Sequence, residues 1–143
     1  MFEQVLPEAS QKLFLALNDT IKGFKFYLGG GSGLALQLGH RISEDLDFFC
    51  TKNFQPELIS HYLEFHFKYQ ENLVSPGTLY CNINGVKVSF IYYPIRLIHP
   101  VIEFKNVKVA DWRDIMAEKF KVLSQRGNRK DFYDLYACFI IKK

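Results

Sequence analysis

Two short stretches of the chain carry residue types that could do chemistry together. The first is Gly29-Gly30-Gly31-Ser32-Gly33. Glycines reach positive φ and let backbone N–H groups approach a ligand closely. Where such a run leads into a helix, the unpaired N–H groups and the positive end of the helix dipole favour phosphate oxygens, and Ser32 would add a hydroxyl donor. A glycine-rich tight turn that binds nothing is the plain alternative. The second stretch is Asp45-Leu46-Asp47. On a strand, alternation sets both carboxylates on one face. Like charges held that close repel unless they share a cation, and Mg²⁺ prefers such oxygens together with substrate phosphates. The alternative is the solvent-facing side of an edge strand, against which the following Phe48-Phe49-Cys50 argues, since it reads as buried.

Two better-known phosphate motifs do not fit. A P-loop needs Lys-Ser/Thr after its last glycine, whereas Gly33 is followed by Leu34-Ala35. A dinucleotide fold needs GxGxxG, a full helix and a second βαβ unit; here an acidic strand follows almost at once. A strand, a Gly-Gly-Ser turn, a short helix and a strand bearing Asp-x-Asp would instead place a triphosphate grip beside a metal site. Nucleotidyl transfer requires that arrangement, because a metal there offsets phosphate charge and helps activate an incoming hydroxyl.

Those stretches need elements to hold them. The pattern predicts a helix from about Pro7 to Lys22, ended by Gly23, and a short aromatic strand over Phe24 to Leu28. A brief helix over Leu34 to Leu38 is closed by Gly39, and a strand runs from Glu44 to Cys50, with Leu46 and Phe48 facing opposite to Asp45, Asp47 and Phe49. A second amphipathic helix covers Pro56 to about Phe65. Thr78 to Ile83 and Val86 to Tyr93 form a hairpin about Asn84-Gly85, a pair that favours a type I′ turn. Val107 to Val109 is expected as a short edge strand. Asp111 caps a helix from Trp112 to about Ser124, and Asn128 caps one from Arg129 to the end. The expected fold class is therefore α+β or α/β: a mixed sheet packed with helices, in one domain over residues 1–143 with a short helical C-terminal part.

Composition sets the remaining bounds. With 48% apolar residues, fourteen Phe and eight Tyr, there is ample material for a core, which argues against disorder. A formal charge of +3 neither requires nor excludes nucleic acid, but Lys119, Lys121, Arg126, Arg129 and Lys130 concentrate basic character late in the chain. The three cysteines lie far apart with no CxxC pair, so neither a disulfide framework nor a zinc knuckle is indicated. The N-terminus has no basic segment followed by an apolar stretch, and no run approaches a bilayer span. A cytoplasmic protein without membrane contact is expected.

The segment from Tyr27 to Phe49, with its Gly-Gly-Gly-Ser-Gly-Leu-Ala-Leu and Glu-Asp-Leu-Asp-Phe-Phe blocks, resembles the signature of the AbiEii-type nucleotidyltransferases. These are toxins of type IV toxin–antitoxin and abortive-infection systems, within the DNA polymerase β superfamily. Asp114 to Lys119, and Arg126 through Asp131 and Asp134 to Tyr136, resemble that family's later motifs. The resemblance implies a polymerase β-like fold. It also implies transfer of a nucleoside monophosphate from an NTP, with Mg²⁺ or Mn²⁺, to a hydroxyl of an RNA such as a tRNA end or of a protein, and an antitoxin partner. By position, Gly30, Gly31 and Ser32 would hold the triphosphate and Asp45 and Asp47 the metal. Lys119 would reach a phosphate, and Asp131 would complete the site as a metal-proximal or base-like carboxylate.

Each has an ordinary rival: Lys119 as a solvated helix charge, Asp131 as a dipole-favoured residue in a first helical turn. Arg41 and Ser43 are expected to support the loop before the acidic strand, Arg126 belongs with the later motif, and His40 is expected to be structural. One departure stands out. Ser89 occupies the place on Val86 to Tyr93 where a third carboxylate is expected. A catalytically weakened NTP-binding regulatory module, or an RNA- or partner-binding module using the basic segment, is the competing reading.

Overall fold

The computed structural model describes residues 1–125 and 128–142. The predicted N-terminal helix is present but broken: after a 3₁₀ turn, α1 spans Glu8–Ala16 and α2 spans Asn18–Gly23, with Leu17 between them at φ −84°, ψ −2°. Pro7 stands just outside α1 as its N-cap. Lys25 takes a positive φ of 61°, so the chain turns before it can extend, and the aromatic strand starts later than expected, as β1 over Tyr27–Gly29.

The glycine run corrects the reading of a loop followed by a brief helix. It forms the first turn of α3, Gly30–Leu38, which ends at Gly39 in the left-handed region. Next comes β2, Leu46–Cys50, with Leu46 and Phe48 fully buried on one face, as the alternation requires. Helix α4 covers Pro56–His66, with Pro56 opening its first turn.

Strand β3, Tyr69–Ser75, was not expected, because its centre is polar and exposed. It pairs antiparallel with β4, Thr78–Ile83, through the turn at Pro76-Gly77, where Gly77 has φ 70°. Pairing with a neighbour overrides weak strand propensity at a sheet edge. The expected hairpin of β4 with β5, Val86–Tyr92, is present, and Asn84 and Gly85 both have positive φ, as a type I′ turn demands. A second hairpin, β6 over Ile102–Phe104 with β7 over Val107–Val109, turns at Lys105-Asn106, both again at positive φ. It moves β7 from the expected edge to the interior.

Helices α5, Trp112–Leu123, and α6, Arg129–Ile141, complete the chain. Both predicted caps hold: Asp111 accepts from the Arg113 N–H at 2.9 Å, and Asn128 from the Asp131 N–H at 3.1 Å. Each such cap is worth about 1 kcal/mol.

The seven strands run in the order β3-β4-β5-β2-β1-β7-β6. Pairing is parallel between β2 and β5 and between β1 and β7, and antiparallel elsewhere, so the sheet is mixed and the fold α+β. The main core gathers on the Leu46 and Phe48 side, where Phe90 meets Phe48 at 5.6 Å and Phe26 at 5.1 Å between ring centroids. Fully burying each of these rings contributes about 1.5–3 kcal/mol. A second apolar cluster joins Leu34 and Leu38 of α3 to Ile115 of α5 and Ala137 and Cys138 of α6. Helix α3 thus serves both cores, through Ala35 and Leu36 on one and Leu34 and Leu38 on the other. That double anchoring fixes the glycine turn at its start. All three cysteines are buried and unpaired; burial pushes the Cys50 thiol up to about 11 and Cys81 to about 12, so both stay protonated near neutral pH.

Candidate active site

The opposite face of the sheet carries the residues expected to do chemistry. Gly29 at the end of β1 stands in register with Asp47, Asp47 with Ser89 on β5, and Ser89 with Tyr80 on β4. One row across the sheet therefore begins at the glycine turn and passes through an acidic side chain. The approach is close: a Cβ built on Gly30 would lie 2.5 Å from Asp47 Oδ2, and Gly30 has φ 60°. Only glycine fits there, on two separate grounds. Glycine turn and acidic pair converge on a shared cleft of about 740 Å³, within the range of small-molecule sites. Its walls include Gly30, Gly31, Asp45, Asp47, Lys119 and Asp131.

Ser32 is placed differently from the role expected of it. Its side chain is only 1% exposed, and its hydroxyl bonds Ser43 Oγ at 2.8 Å and donates to the Asp45 carbonyl oxygen. It ties the first turn of α3 to the segment entering β2 and so holds Asp45 in position. Ser43, expected as a support, is the partner in that tie.

Lys119 is no solvated charge. It is 6% exposed, and its ammonium lies 3.0 Å from Asp131 Oδ1 and 2.9 Å from Asp134 Oδ2. Asp131, at 4% exposed, shares the cleft wall with it. Asp134, which no sequence reading assigned a role, is the hub. Fully buried, it accepts from His40 Nε2 at 2.6 Å and from Arg41 Nε at 2.7 Å and Nη2 at 3.0 Å, besides pairing with Lys119. Burial alone would raise its pKa, but the hydrogen bonds from His40 and Arg41, with the Lys119 charge, outweigh it and hold the carboxyl well below the ordinary value of 3.8. The Asp134 bond in turn raises the Arg41 pKa.

His40 is thus structural, as expected. Arg41 does more than brace its own loop: a Cβ on Gly31 would meet its Nη2 at 2.3 Å, so the guanidinium packs directly against the glycine turn. The signal for Asp134 lay in the Asp131-x-x-Asp134 spacing, one helical turn, which directs both carboxylates toward α5. Arg126, expected as a supporting residue, lies outside the described residues.

The donors suit a divalent cation that arrives with phosphate. Asp45 and Asp47 line the cleft beside backbone donors, and Mg²⁺ typically takes one or two carboxylates plus substrate oxygens and waters. Among the described residues no group of three or more His, Cys, Asp or Glu side chains could enclose a metal without substrate.

Comparison with known proteins agrees with this geometry. The family model for the nucleotidyl transferase AbiEii toxin of type IV toxin–antitoxin systems matches residues 12–83, which include both the glycine turn and the acidic pair. An uncharacterised protein of Aquifex aeolicus (strain VF5) is 34% identical over 122 residues, 82% of this chain; the chain spans 58% of that relative's length. Two solved structures share the fold. The Megavirus polyadenylate synthase superposes with a TM-score of 0.63 at 12% identity, over 92% of this chain and 31% of its own. The aminoglycoside nucleotidyltransferase ANT(2″)-Ia, solved with adenylyl-2″-tobramycin, does so with a TM-score of 0.59 at 14% identity, over 96% and 89%.

Proposed function

The chain belongs to the AbiEii nucleotidyl transferase toxin family, and from that premise we propose that it transfers a nucleoside monophosphate from an NTP to a hydroxyl of an RNA, such as a tRNA end, or of a protein. The observation that carries this reading is the contact of Gly30 with Asp47, which puts a phosphate grip and an acidic pair in one cleft.

In this reading the N–H groups of the α3 first turn bind the triphosphate, with the Arg41 guanidinium packed behind them. Asp45 and Asp47 hold Mg²⁺ or Mn²⁺. When bound, the ion would offset phosphate charge and make the attacking hydroxyl more acidic. The acceptor oxygen attacks the α-phosphorus, the new O–P bond forms as the bond to pyrophosphate breaks, and Asp131 takes the hydroxyl proton. Lys119 holds Asp131 in place through its 3.0 Å contact. Asp134, touching no reacting atom, is a positioning residue.

Physiologically this is a cytoplasmic toxin activity held in check by an antitoxin. Among the described residues no helix is long and apolar enough to cross a membrane. The test is transfer of label from α-³²P-NTPs to total RNA and protein. Incorporation with at least one NTP, absent in Asp45→Ala and Asp47→Ala, is expected; no incorporation with any of the four NTPs would contradict the proposal.

A second reading draws on two observations: Ser89 stands beside Asp47, and the exposed side of α6 carries Phe132, Tyr136 and Phe139 together with Arg129 and Lys130. It is a weakened enzyme that binds nucleotide and docks RNA or a partner through α6. RNA binding of that kind weakens steeply with salt, and nucleotide binding without transfer would favour it.

A further inference from the structure

We propose that the part of the cleft over β4 and β5 seats the acceptor, and that Tyr80 there stacks an unpaired base at the 3′ end of a single-stranded RNA. This deepens the nucleotidyl-transfer reading and rests on it.

The row that starts at Gly29 and Asp47 runs on through Ser89 to Tyr80. Two further pairs, Thr78 with Ile91 and Asn82 with Lys87, flank it on the same face, because both strands keep strict alternation. The residues between them, Leu79, Cys81, Val88 and Phe90, are buried on the other face, in one core with Phe14 of α1 and Leu63 of α4. The cleft face of these two strands is open instead. Tyr80 is 41% exposed and Lys87 is exposed, and both line the cleft. A lone surface tyrosine is ordinary; this one is set apart by its place in the Asp47 row. Two inter-strand steps of about 4.8 Å put it about 10 Å from Asp47 across the sheet. That is roughly the reach of one nucleotide from a reacting hydroxyl to a stacked base.

Charge then selects the ligand. Strands β4 and β5 carry no carboxylate. On β3, Glu71 is in register with buried Cys81 and accepts from Ser60 of α4, while the bulge between Glu71 and Leu73 leaves Asn72 on the cleft wall. Exposed Lys130 of α6 lines the cleft as well. Its remaining carboxylates belong to the nucleotide end: Glu44 precedes Asp45, and Glu118 also borders the hollow beside Gly29 and Gly30. A polyamine acceptor would find no counter-charge over β4 and β5. A polynucleotide finds an ammonium for its phosphate and a ring for its base. A base within a duplex offers no free face, so the bound end is single-stranded. A protein hydroxyl needs neither the ring nor the ammonium.

The test is fluorescence anisotropy with a short 5′-labelled RNA of mixed sequence, alone and annealed to its full complement. The single strand is expected to bind more tightly than the duplex. Tyr80→Ala is expected to weaken single-strand binding about tenfold, as for loss of one stacked base. Tyr80→Phe should bind as wild type, and both variants should keep their NTP affinity in calorimetry. Lys87→Met should reduce the slope of log affinity against log salt by about 0.7, the share of one phosphate contact. Undiminished RNA affinity in Tyr80→Ala, an equal loss in Tyr80→Phe, equal binding of the duplex or an unchanged salt slope in Lys87→Met would each overturn the inference. Label passed to protein and never to RNA would also overturn it, while leaving nucleotidyl transfer standing. RNA held through Tyr80 with no transfer from any NTP would do the opposite. Circular dichroism checks that the variants fold, as substitutions at exposed positions are expected to allow.

Discussion

The two walls of the cleft are built on opposite principles. On the sheet side, Asp45 is exposed, Asp47 and Ser89 are half-buried, and the row opens to solvent. On the helix side, Lys119, Asp131 and Asp134 are buried and bound to one another, with His40 and Arg41 closing the network. Accessible carboxylates can take up a cation and phosphate. Fully buried Asp134, already matched with cations, cannot exchange partners cheaply and fixes geometry instead, while Asp131 beside it lines the cleft. Losses of function and losses of stability should therefore separate between Asp47 and Asp134.

The separation is sharpest in the largest effects. Asp47→Ala is expected to lower nucleotide transfer about 10³-fold or more, as for loss of a principal electrostatic group, with an unfolding midpoint close to wild type; a matching fall in thermal stability would erase the contrast. Asp134→Ala should do the reverse, because it leaves buried Lys119 and half-buried Arg41 without their shared partner. It is expected to cost about 3–5 kcal/mol of stability in urea unfolding, and any activity loss should track the unfolded fraction.

Acid should act through the same hub. The depressed Asp134 pKa means that the folded state favours the ionised carboxylate, so its stabilisation is fully present above the ordinary value of 3.8 and is lost as pH falls below it toward the folded value. Urea midpoints measured down through that window should fall more steeply for wild type than for Asp134→Asn, and parallel curves would deny the hub its role.

Gly30→Ala probes the seam between the walls. A side chain at φ 60° and 2.5 Å from Asp47 Oδ2 is expected to cost about 1–3 kcal/mol and to weaken NTP affinity beyond its effect on folding. Smallest is Asn128→Ala, which removes the α6 cap and should cost about 1 kcal/mol with nucleotide affinity retained.

The same contrast explains what could be read from residues alone. The sheet wall was legible because its signals are local: alternation in Leu46 to Phe49, the Asn84-Gly85 turn, and the glycine run next to Asp-x-Asp. On the helix wall the family resemblance points to Lys119 and Asp131, which line the cleft, but not to the Asp134 hub, because Asp134 meets His40 and Arg41 across most of the chain, and spacing announces such a pair only weakly. Residue type alone points Ser32 toward phosphate, but its hydroxyl instead joins Ser43 and the Asp45 carbonyl oxygen, a tertiary contact. Strands β3 and β6 are not legible in the residues because edge strands carry little apolar pattern, although Pro76-Gly77 and Lys105-Asn106 mark their turns.

The central claim is that the α3 first turn and the Asp45–Asp47 pair bind one nucleotide between them. Calorimetric titration of each NTP into the protein, with Mg²⁺ and then with EDTA, tests it most directly. The account predicts metal-dependent binding of at least one NTP, with that dependence lost in Asp47→Ala. Binding equally tight in EDTA, or unaltered by Asp47→Ala, would contradict it.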